Sequence, residues 1–223
     1  MILNGYSIRA FIIVGIVCLA TGAYASDYSA DLTLGYNGGT GFQLDGMAAD
    51  FAEGFPFSIQ LGIAYSRLDP GDAADARRIF INDATNGDPE EKGWMWNFKL
   101  DFLHRLKWFS SQNINIYGGP RHSRFKGNFK FIGGNEDFDI TSNQWGVGFG
   151  MKTFFPMSSK LDFVLTGGFD YYFSSDLRGH DTTYNPDGEN INARNNYDYD
   201  NADEAINQPR FPLLLMLGVN YRF

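Results

Sequence analysis

The sequence predicts an all-β fold: eight antiparallel up-and-down strands closed into a transmembrane barrel, preceded by a cleaved signal peptide. Three observations carry this expectation. Apolar residues recur at every second position in segment after segment, the period of side chains along a strand. In most of these segments the large and aromatic residues share one face, and Gly, Ser, Thr, Asp and Lys share the other. The chain is 17% aromatic with 26 glycines, yet its mean hydropathy is only −0.28. That is too polar for a bundle of membrane-spanning helices.

The rest of the composition excludes whole classes. A length of 223 residues allows one domain or two. Twenty-six acidic residues against eighteen basic ones give a net charge of −8. Strong nucleic-acid binding draws on a basic excess, so no nucleic-acid partner is expected. A single cysteine leaves no internal disulfide framework and no multi-cysteine metal site.

Residues 1–25 read as a signal peptide. Arg9 supplies the positive start, 10–20 are apolar, and Ala23-Tyr24-Ala25 is a small-residue cleavage site. The apolar run falls short of the roughly 20 residues a spanning helix needs. Val17 before Cys18 fits poorly with a lipoprotein signal, which wants a small residue there. The expected division is therefore a leader at 1–25 and a barrel domain at 26–223.

The strands follow in order. In 28–36, Tyr28, Ala30, Leu32, Leu34 and Tyr36 oppose Ser29, Asp31, Thr33 and Gly35. Residues 42–51 alternate weakly, with Phe42 and Leu44 against Gln43 and Asp45. In 57–67, Phe57, Ile59, Leu61, Ile63 and Tyr65 oppose Ser58, Gln60, Gly62, Ala64 and Ser66. In 94–108, Trp94, Trp96, Phe98, Leu100, Phe102, Leu106 and Trp108 oppose Asn97, Lys99, Asp101 and Arg105. Residues 114–125 change face part-way. Ile114 and Ile116 share one parity, Phe125, Phe129 and Phe131 the other, and a bulge at Gly118-Gly119-Pro120 would reset the register. In 145–155, Trp145, Val147, Phe149, Met151 and Phe155 oppose three glycines and Lys152. The runs 162–173 and 211–223 repeat the pattern, the last ending on Phe223.

The connectors at 52–56, 109–113 and 156–160 are short. Those at 68–93 and 174–209 are long, polar and rich in Asp, Asn and Gly, and 126–143 is a hairpin tip. Short turns at one end and long loops at the other suit a membrane barrel. A secreted β-sandwich also alternates, but it turns its large residues inward and its polar residues out. Lipid inverts that pattern, and the aromatics at segment ends (Tyr28, Tyr36, Trp94, Trp108, Trp145, Tyr171, Tyr221) suit interface girdles.

These residues carry a family likeness. The chain resembles the small eight-stranded outer-membrane barrels of the OmpX and OmpA-transmembrane-domain type. Gly218-Val219-Asn220-Tyr221-Arg222-Phe223 looks like their closing strand. The run from Gly148 through Pro156 to Phe163 resembles the strand–turn–strand before the last loop, and Ile116-Tyr117-Gly118-Gly119 the start of the fifth strand. The loop at 174–209 is longer than a minimal member needs. The resemblance implies that Tyr221 and Phe223 are read by the outer-membrane barrel assembly machinery. It also implies a location in the outer membrane of a Gram-negative cell, with both termini in the periplasm.

Eight strands leave an interior just wide enough for side chains to fill. The residues expected inside are Asp31, Asp45, Asp101, Asp162 and Asp170 against Lys99, Arg105, Lys152 and Arg222. Unpaired charge there costs several kcal/mol, so an interior network of Asp31, Lys99, Asp101, Arg105 and Lys152 is expected to plug the barrel. The alternative is a narrow, gated path. A lipid-modifying enzyme would need a His–Ser pair plus an acid. His122 and Ser123 are adjacent and so point to opposite faces of a regular strand, His104 has no serine beside it, and His180 sits beside Asp181 in a loop. No catalytic residue, cofactor or metal ligand is therefore assigned. The acids of 174–209 could supply oxygen ligands to a cation but lack an ordered calcium-loop spacing. The hairpin at 125–140 is expected to project as a β-fin whose edge could recruit a partner strand. The expected role is structural and surface-interacting. The expected partners are outer-membrane lipid, lipopolysaccharide, the assembly machinery and an extracellular protein or surface ligand.

Overall fold

A computed structural model describes residues 27–50, 54–106 and 113–223. The expected leader at 1–25 lies outside them, as do Phe51 and Trp108 from two of the expected strands. The described chain is a closed antiparallel barrel of eight strands: β1 (Asp27–Asn37), β2 (Thr40–Ala49), β3 (Ser58–Leu68), β4 (Asp88–Arg105), β5 (Asn113–Ile132), β6 (Asp137–Pro156), β7 (Leu161–Tyr172) and the last strand (Leu213–Arg222). Each pairs with the next, and the last pairs back onto β1 from Ser29↔Arg222 to Asn37↔Leu214, which closes the sheet and removes its edges. Gly38 makes the two-residue β1–β2 hairpin, with φ +66° in the left-handed region that favours glycine.

The faces follow the alternation. Leu32, Leu34, Leu44, Leu61, Phe149, Leu215 and Leu217 point outward and are exposed, forming an apolar belt around the wall. Ser29, Asp31, Gln43, Asp45, Gln60, Lys99 and Asp170 point inward and are buried. In water that arrangement would be costly; in hydrocarbon it satisfies both faces.

Strands β4, β5 and β6 run for 18, 20 and 20 residues, against 10 to 12 for the others. They rise past the belt as a three-stranded wall, and the segments expected as polar loops fold against its inner face. There lie helix α1 (Ala73–Phe80), β8 (Leu177–Gly179), β9 (Thr182–Tyr184) and helix α2 (Tyr199–Ala205), so the closing strand is β10. Asp72 caps α1 by accepting the Asp75 N–H at 2.9 Å, and Asp198 caps α2 in a reciprocal capping box with Asn201. Together these elements bury a second, apolar core: Phe80, Phe125, Phe129, Ile140, Leu177 and Tyr184, among others. The loop expectation for 68–93 and 174–209 is corrected accordingly. Their few apolar residues are scattered among Asp and Asn, and they make a core only when α1, α2 and the wall meet.

Two further expectations are corrected. No bulge resets β5. Its register with β4 keeps one phase from Asp88↔Ile132 to Arg105↔Asn115, across a break in pairing at Gly119-Pro120, and with β6 it runs unbroken from Asn113↔Phe154 to Lys130↔Asp137. Arg121, Ser123, Phe125, Phe129 and Phe131 all face inward on one parity. The apolar residues change parity along the sequence because that inner face passes from the lumen to the cap core. The edges of the fin hairpin are also partly covered. Residues from Asp88 upward in β4 pair along β5 to its end, and β8 pairs with Ile140 and Thr141 of β6.

Candidate functional site

The lumen holds one connected polar network. Lys152 reaches in from β6, with Nζ 2.5 Å from Asp31 Oδ2 and 2.9 Å from Asp45 Oδ2. It also donates to Gln60 Oε1 at 2.6 Å. Gln43 Nε2 donates to Asp45 Oδ2 at 2.7 Å, and Lys99 Nζ donates to Gln43 Oε1 at 2.8 Å. Lys99 stands 3.8 Å from Asp170. Arg121 bridges two acids, with Nη1 2.8 Å from Asp101 Oδ1 and Nε donating to Asp170 Oδ1 at 2.8 Å. Asn97 Nδ2 completes the set on Asp170 Oδ2 at 3.0 Å. These groups come from β1 through β7, so the network ties seven strands across the barrel.

Long cations cross the lumen because glycines make room. A methyl group at Gly148 would collide with the Arg121–Asp170 pair, and one at Gly62 with the Asp45 carboxylate. The charges nearly cancel, and each carboxylate in the network has a cation beside it, which is what makes so polar an interior tolerable. At the end holding the termini, Arg222 Nη2 donates to Asp162 Oδ1 at 3.0 Å.

Of the interior residues expected from sequence, the structure brings together Asp31, Lys99, Asp101 and Lys152 and leaves Arg105 out. Arg105 keeps the inward parity, but β4 ends there, so its side chain is exposed at the rim and forms no ion pair among the described residues. Its place in the balance is taken by Arg121, which the sequence reading missed. The signal was available in the parity of Arg121 with Phe125, but the glycines and proline before it hide which face is which. Tyr221 and Phe223 are both exposed, their rings 5.4 Å apart, and the Phe223 N–H donates to the Tyr28 carbonyl.

The histidines are dispersed. His122 packs its ring 4.7 Å from Trp145 on the outer face, while Ser123 is buried and 3.4 Å from Gln144 in the lumen. His104 Nδ1 lies 3.2 Å from the Pro56 carbonyl, and His180 Nδ1 lies 3.0 Å from Asp181. Several acids of the last loop are engaged locally. Asp176 pairs with Arg178, Asp198 caps α2, and Asp203 pairs with Arg210. No group of three or more His, Cys, Asp or Glu is placed to hold a metal ion among the described residues.

The cap carries its own electrostatics. Arg77, buried in α1, stands 2.6 Å from Glu136 at the fin tip and 4.4 Å from the Phe131 ring centroid. The Arg77 guanidinium, and then Asn82, hold the Glu136 carboxyl below the usual carboxylate range. Arg194 likewise lowers Asp83, which it contacts. Burial raises the Tyr184 and Tyr199 hydroxyls above their ordinary value.

No protein-family model matches this chain, and no curated protein matches it. Among solved structures, a major outer membrane protein from Thermus thermophilus is similar over 90% of this chain and 100% of its own. It shares 26% identity, with a TM-score of 0.72. Acinetobacter baumannii CarO2 shares 15% identity over 88% of this chain and 98% of its own, with a TM-score of 0.43. Neisserial surface protein A shares 13% over 89% and 95%, with a TM-score of 0.35. With its closed eight-stranded barrel and apolar belt, this chain is an outer-membrane β-barrel protein.

Proposed function

We propose that this protein is a non-enzymatic surface anchor of the OmpX and OmpA-transmembrane-domain kind, which holds a folded cap outside the cell and does not conduct. One observation carries the reading: a single charge network ties seven strands across the lumen, directly beneath a cap with its own apolar core. Such an interior favours a rigid support over an aqueous path. The outward His122 and inward Ser123 give no nucleophile–base pair, so lipid A mass should be unchanged by expression of the gene. The termini face the periplasm, Tyr221 and Phe223 engage the barrel assembly machinery, and lipid and lipopolysaccharide surround the belt. The cap meets an extracellular protein or other surface ligand.

Cysteine labelling on whole cells tests this reading. Asp187→Cys lies on an exposed turn of the cap, and Met157→Cys on an exposed turn at the opposite end. A membrane-impermeant maleimide should label the first in intact cells and the second only after permeabilisation. The reverse pattern would sink the surface-anchor reading.

A further inference from the structure

Above the apolar belt, the outer wall changes character on one side of the barrel only. The registers place Tyr65 beside Trp96, and Trp96 beside Arg124. Two residues higher, Arg67 stands beside Trp94, and Trp94 beside Lys126. All six have the outward parity. The lower row sets two aromatics beside Arg124, with the Tyr65 and Trp96 ring centroids 5.0 Å apart. Cations lie on these rings: the Arg124 guanidinium is 5.9 Å from the Phe98 centroid, and Lys126 Nζ is 5.3 Å from that of Trp94. Arg67 and Arg124 are exposed and form no ion pair among the described residues. Lys126 shares its charge with Asp139 at 2.6 Å.

The opposite wall is different. The outward positions of β7, β10 and β1 carry no Lys or Arg at any height. The basic band also runs against the protein's net charge of −8. Neighbouring strands stand about 4.8 Å apart, so Arg67 and Lys126 flank Trp94 at roughly 10 Å. Long side chains can close that gap around one phosphate. The height of the band selects the occupant. Its cations share two rows with Tyr65, Trp96 and Trp94 at the upper edge of the apolar belt, and aromatics mixed with cations mark the level where headgroups lie.

We propose that Arg67, Arg124 and Lys126, framed by Trp94 and Trp96, bind the anionic phosphate of a membrane-lipid headgroup whose chains lie on the belt below. This rests on the reading of the chain as a barrel in the outer membrane. Native mass spectrometry of the full chain in neutral detergent tests it, with phosphatidic acid, diacylglycerol of the same chains, and inorganic phosphate as probes. Phosphatidic acid should bind at least tenfold more tightly than diacylglycerol. Each of Arg67→Gln and Arg124→Gln should weaken it about fivefold, and the pair about twenty-five-fold. Lys92→Gln with Lys130→Gln, higher on the same wall, should stay within twofold.

Equal binding of phosphatidic acid by the wild type and by the Arg67 and Arg124 variants would overturn the proposal. So would equal binding of diacylglycerol, equal loss in the Lys92 and Lys130 control, or inorganic phosphate bound as tightly as the lipid, which would mark a soluble-anion site. The heat-modifiable shift on gels reads the barrel separately. A wild type without that shift would sink the barrel reading itself. If the double variant loses it, the two single variants carry the test.

Discussion

Arg121 and Phe125 stand on the same face of β5, four positions apart, and are held in opposite ways. Arg121 sits in the lumen between Asp101 and Asp170. Phe125 sits in the cap against apolar neighbours. Below, lipid occupies the outside of the wall, so the inside can be polar only if its charges satisfy one another. Above, water occupies the outside, so the inside is an ordinary apolar core. One strand thus passes between two solvents, and its inner face inverts while its backbone register does not. The lumen depends on pairing, so its loss is abrupt and global. The cap depends on burial, so its loss is graded and local.

Breaking the pairing should produce the largest effect. Lys152→Met leaves Asp31 and Asp45 facing each other in the barrel with no cation between them. It should cost about 3–5 kcal/mol in reversible urea unfolding from detergent. Arg121→Met should cost a similar amount, since it strands Asp101 and Asp170. Phe129→Ala acts on the cap. It removes a fully buried ring from the cap and should cost about 3 kcal/mol. That loss should appear as faster hydrogen exchange in the upper part of β5, with the barrel's heat-modifiable shift unchanged. A fall in barrel stability equal to that of Lys152→Met would show that cap and lumen are a single unit. Asp198→Ala is milder. Loss of the α2 cap should cost about 1 kcal/mol, read as faster exchange in 199–206 alone.

Acid should act on the cap, and only slightly. The folded-state pKa of Glu136 is depressed, so its stabilising contribution is complete above the ordinary carboxylate value of about 4.3 and is lost as the pH falls through the depressed one. Cap exchange should therefore rise on acidification below about pH 4. Glu136→Gln should flatten part of that rise. Asp83 and Asp181, lowered by Arg194 and His180, contribute the rest.

The parts legible in the sequence are those where one solvent acts along a whole strand. The alternation of Leu213 to Tyr221, or of Phe163 to Tyr171, needs no tertiary knowledge, because lipid meets every outward residue. Arg121 was hidden because Gly118 and Gly119 carry no side chain to mark a face. Arg105 has the right parity, but parity does not say where a strand leaves the barrel. The cap was invisible for a different reason. Ala76, Phe80, Tyr184 and Ala202 come from segments far apart in the chain, each too short and polar to show periodicity, and only the projecting wall brings them together.

Pairing inside and burial above together close this barrel. Current through planar bilayers holding the full, purified chain reads that closure. A lumen closed in this way should give no unit steps above the protein-free baseline. Stable, reproducible steps from the unmodified protein would contradict it, and the charges of the lumen would then have to be reread as the lining of a pore.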